Sequence, residues 1–73
     1  MAISNEAKIA IVEQNVQQVE NTIYDLEIKA SVSLRIGDKD TAKSTGDALV
    51  KFEKMLAEYN KILSELVPKE KAK

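Results

Sequence analysis

Ile28-Lys29-Ala30-Ser31-Val32-Ser33-Leu34-Arg35-Ile36-Gly37-Asp38-Lys39-Asp40-Thr41 is the stretch on which the fold turns. Up to Ile36, apolar and polar residues alternate strictly, which is the period of an amphipathic strand. Serine and β-branched residues are also weak helix formers. A lone strand, however, has no partner within this chain and would have to pair across a second subunit. The same residues fit a helix with two apolar sides, in which Ala30 and Leu34 extend a seam while Ile28 and Val32 lie roughly opposite. Helix is therefore the expectation. Gly37 stops it, because glycine adopts the left-handed conformation without steric cost. Asp38, Asp40 or Thr41 then caps a second helix.

The flanking sequence carries two apolar repeats. Ile9, Val12, Val16, Val19, Ile23, Leu26 and Ala30 lie before the turn; Leu49, Phe52, Leu56, Tyr59, Leu63 and Leu66 lie after it. Both step by alternating threes and fours, which keeps one side of a helix against a neighbouring helix. The expected fold is all-α: an antiparallel, coiled-coil-like two-helix hairpin in a single domain. Helix 1 is expected over about residues 5–36, the turn over 37–40 and helix 2 over about 41–67, with a polar, frayed tail at 68–73. Ser4 or Asn5 provides the first cap, and Pro68 ends helix 2 near Val67. Folding the chain about the turn places Val12 opposite Leu66, Val16 opposite Leu63 and Val19 opposite Tyr59. It continues with Ile23 and Leu56, Leu26 and Phe52, Ala30 and Leu49.

Apolar side chains remain outside the seam. Ala48, Met55 and Ile62 recur every seven residues beside it on helix 2. Tyr24, Ile28, Val32 and Ile36 step by four along a side of helix 1 facing away from helix 2. These seven are the candidate partner-binding residues, since contiguous exposed apolar surface marks contact sites. The chain has 73 residues and no cysteine, so disulfides cannot staple it. Self-association into a four-helix-bundle dimer is the expected source of added stability.

Composition narrows the function classes. The net charge is −1, with acidic and basic residues interspersed, so an electrostatic grip on nucleic acid or on a membrane is not expected. No stretch approaches the apolar length that spans a bilayer, and no basic leader precedes an apolar run, so a cytoplasmic location is expected. There is no histidine, which removes the commonest metal ligand and the neutral-pH acid–base group. Glu13, Glu20 and Glu27 recur along one flank, with Glu27 near Glu53, but a solvated flank explains them better than a carboxylate pair does. Gly37 to Thr41 lacks the spaced ligands of a calcium loop, since Leu49 holds the twelfth position counted from Asp38. Catalytic residues, cofactor and metal are all expected to be absent.

The expected function is that of a small non-catalytic interaction or assembly protein, partnered by itself and by a protein target. The alternative is a dimeric helical regulator that binds nucleic acid through Lys51, Lys54 and Lys61. Glu53, Glu58 and Glu65 interleave with those lysines and weaken that reading. Gly46 has two readings at this stage: close approach of a partner backbone, or a tolerated weak point in the helix.

Overall fold

Ser4 opens the first helix: its side chain accepts a hydrogen bond from the Ala7 N–H at 3.1 Å. That contact satisfies one of the donors a helix start leaves unpaired, and Glu6 adds negative charge to the same turn. A computed structural model describes residues 3–67 of the chain. Helix α1 spans Asn5–Arg35 and helix α2 spans Lys39–Leu66. They pack against each other, and no strand occurs among the described residues. Residues 28 to 35 are helical despite their two-residue alternation. The expected tail at 68–73 lies outside the described residues.

The reversal occupies only Ile36, Gly37 and Asp38. Gly37 takes φ +80°. The Asp38 N–H donates to Ser33 O at 2.8 Å and the Gly37 N–H to Leu34 O at 3.2 Å, a paired closure of the helix end that needs the left-handed glycine. Asp38 then serves α2. Its carboxylate accepts from the Thr41 N–H at 3.1 Å, and its carbonyl accepts from the Ala42 N–H. Because Asp38 is the cap, α2 starts two residues before the expected position, and Asp40 sits in the first turn. At the far end, Val67 is extended at ψ 132°, as the residue before Pro68 prefers.

The seam follows the three-four rhythm more strictly than expected. Leu34 does not extend it; that side chain is 66% exposed. After Ala30 the next step is three, and it lands on Ser33, 5% exposed. Across the hairpin, Thr45 is 8% exposed and Ala42 is half-buried, so small residues line the seam nearest the turn. Among the described residues, no buried side-chain nitrogen or oxygen lacks a hydrogen-bond partner. Val19, 6% exposed, is the one buried apolar residue among them, and the other seam residues are half-buried.

Asn5 fixes how the arms line up. Its Nδ2 donates to Leu66 O at 3.0 Å, joining the start of α1 to the end of α2. With Val12 opposite Leu66, Asn5 would lie roughly 10 Å along the axis from that carbonyl, beyond its reach. The expected matching is therefore corrected by about one seam step, which brings Ile9, not Val12, to the level of Leu66. A slide of this size carries seam onto seam, so apolar spacing alone does not distinguish the two alignments.

The two glycines respond oppositely to alanine. Gly37→Ala places a Cβ on a left-handed residue and is expected to cost about 1–2 kcal/mol. A Cβ at Gly46, inside α2, meets nothing within 4 Å, so Gly46→Ala is expected to stabilise by about 0.5–1 kcal/mol. Urea unfolding followed by circular dichroism reads both signs.

Asp38 also makes the hairpin acid-sensitive. The Thr41 hydroxyl, and then its backbone N–H, hold the Asp38 carboxyl below its ordinary value of 3.8. A carboxylate lowered on folding contributes stability above its unfolded value and loses it as pH falls through the folded one. Wild-type stability is expected to decline below about pH 4. Asp38→Asn keeps a cap and loses that component, which thermal melts across pH 2–6 would show.

Candidate protein interface

An antiparallel pair of helices related by a twofold axis normal to their plane turns equivalent positions toward the same face. Asn15, Thr22 and Lys29 directly precede the seam residues Val16, Ile23 and Ala30. Ala48, Met55 and Ile62 directly precede Leu49, Leu56 and Leu63. All six therefore border one face of the hairpin. Asn15, Thr22, Ala48 and Met55 are half-buried there. The opposite face carries Glu13, Glu20 and Glu27 from α1 with Glu53 and Asn60 from α2, all exposed. Four carboxylates keep that side hydrated, whereas the Met55 side is the cheaper one to strip of water.

On this cheaper side α2 carries an open groove of about 590 Å³. Val50, Met55, Tyr59 and Ile62 supply its apolar lining, and Asp47, Lys51, Lys54 and Glu58 its charged rim. Two sequence-based candidate sets thus meet in one place: Met55 and Ile62 from the partner-binding set, Lys51 and Lys54 from the lysine set. Ala48 is half-buried and is not part of the lining. Lys61 pairs instead with Glu58 at 3.5 Å, an exposed contact of little energetic weight. Val50 was not among the candidates, although a large exposed aliphatic beside the lysines was a readable signal. Tyr59, read only as a seam residue, also lines the groove.

Tyr24, Ile28, Val32 and Ile36 form a second exposed apolar feature, with Ile36 73% exposed at the tip. Each step of four advances the angle by about 40°, so Tyr24, Ile28 and Val32 wind roughly 80° around α1, and Ile36 lies just past its end in the reversal. Such a ridge suits a helix crossing at a steep angle better than one lying parallel. Leu34, which leaves the seam, adds to the exposed apolar surface near the tip.

Among the described residues, no three of the metal-ligating types gather, and Glu27 and Glu53 are both exposed. No helix among them is long and apolar enough to cross a membrane. The chain matches no protein-family model, no curated protein and no solved structure.

Proposed function

We propose that this chain is a small, non-catalytic assembly protein. It acts as a homo-oligomer, a dimer in the simplest form, that buries the Met55 side of the hairpin and presents the remaining apolar ridge to a protein target. One observation carries this reading: Val19 is the only buried apolar residue among those described, while Ile28, Val32, Leu34, Ile36, Val50 and Ile62 stand exposed. A single seam leaves each helix covered along one stripe. A second copy laid on the Met55 face would enclose Met55 and Ile62 and give four helices around one core. The lack of cysteine fits a cytoplasmic location, since small secreted domains commonly rely on disulfides.

Self-assembly is tested on the full chain by sedimentation equilibrium with circular dichroism over a range of concentrations. The expected result is a mass above the 8.1 kDa of one chain at micromolar concentration, with helicity lost on dilution. Ile62→Lys, which places a charge on the uncovered face, is expected to shift the equilibrium toward single chains. A monodisperse, stable 8.1 kDa species across that range overturns the proposal.

A further inference from the structure

The groove lining runs from Asp47 to Ile62, so its midpoint falls between Lys54 and Met55. About that midpoint the charges invert. Lys51 lies as far on one side as Glu58 lies on the other, and Asp47 mirrors Lys61 to within one residue. Size is matched about a centre half a residue further on, with Ala48 and Ile62 equidistant from Met55. A helix face whose charges change sign on reversal is complementary to itself in an antiparallel pair, because a twofold axis carries each contact onto its own mirror image. Within one hairpin, Lys51 and Lys54 take part in no ion pair among the described residues, where the pairs are Lys29 with Asp25 and Lys61 with Glu58.

We propose that two copies dock α2 against α2, antiparallel, with the twofold axis beside Met55. This rests on the self-assembly reading above and specifies its surface. Met55 lies beside the axis, close to its own counterpart. Ala48 of each copy leaves room for Ile62 of the other, so a small residue faces a large one. Lys51 lies across from Glu58 of the second copy, and Asp47 across from Lys61. Lys54 falls next to the axis, where its flexible stem lets the ammonium group reach Asp47 or Glu58 of the second copy. The acidic faces, bearing Glu13, Glu20, Glu27 and Glu53, point away from the contact, which spares the dimer their mutual repulsion.

The test uses full-length variants and two readouts. In sedimentation equilibrium at low salt, Lys51→Glu sets glutamate against Glu58 twice per dimer and is expected to weaken association roughly tenfold. Lys51→Glu combined with Glu58→Lys restores the opposition and is expected to recover most of that loss. Both positions are exposed, so unchanged circular dichroism at high concentration shows that the hairpin is intact. Since the chain has no cysteine, Met55→Cys introduces a single thiol, and mild oxidation is expected to trap a covalent dimer. Ile28→Cys, on the α1 ridge, is expected to trap little. If wild type associates but charge reversal changes nothing, or if Ile28→Cys cross-links while Met55→Cys does not, this docking is wrong and self-assembly stands. If the wild type stays a single chain at all concentrations, both fail together.

Discussion

A chain that doubles back in three residues must satisfy two helix ends almost at once, and the rest of the hairpin inherits the solution. Gly37 supplies the one left-handed residue, which turns two amide hydrogens onto Ser33 and Leu34. Asp38 closes α1 with its N–H and opens α2 with its carboxylate and carbonyl. Little slack remains in so short a link, so the arms leave it side by side and antiparallel. That arrangement decides which flanks share a face, and hence why Glu13, Glu20 and Glu27 of α1 lie on the same side as Glu53 of α2.

Much of this was legible in the residues themselves. The seam from Ile9 to Ala30 and from Leu49 to Leu66 is the covered side of each helix, and Ser4, Gly37 and Asp38 punctuate the chain as their chemistry suggests. Less legible was the stretch before the turn, where alternation pulled Leu34 toward the seam. Ser33 takes that place because helical geometry requires a step of three after Ala30, and a small hydroxyl side chain fits close to the turn. Alignment of the arms was hidden for a different reason. Sliding one apolar seam along another by a step preserves its character, and the polar bond between Asn5 and Leu66 distinguishes the two.

The candidate interface was readable in parts and not as a whole. Met55 and Ile62 announced themselves by recurrence, and Lys51 and Lys54 by charge. That they border one groove depends on where around α2 each side chain falls once the seam is placed. On α1, Tyr24, Ile28 and Val32 share an equal spacing of four and drift gradually around the helix, with Ile36 exposed in the reversal beyond them. Together these features divide the surface into a hydrated acidic side and a side whose cover is incomplete, the division on which the functional reading rests.

The bond from Asn5 to Leu66 has a consequence for the order in which the molecule assembles. It joins residues 61 positions apart, so making it first would confine almost the whole chain in a single loop. Pairing that begins near Gly37 instead encloses only a few residues at each stage, every new layer having been brought close by the last. Loop-closure entropy therefore favours pairing that spreads from the tip toward the termini. The same logic run backward makes the Asn5 clasp the first contact to open, and amide exchange would be fastest around it.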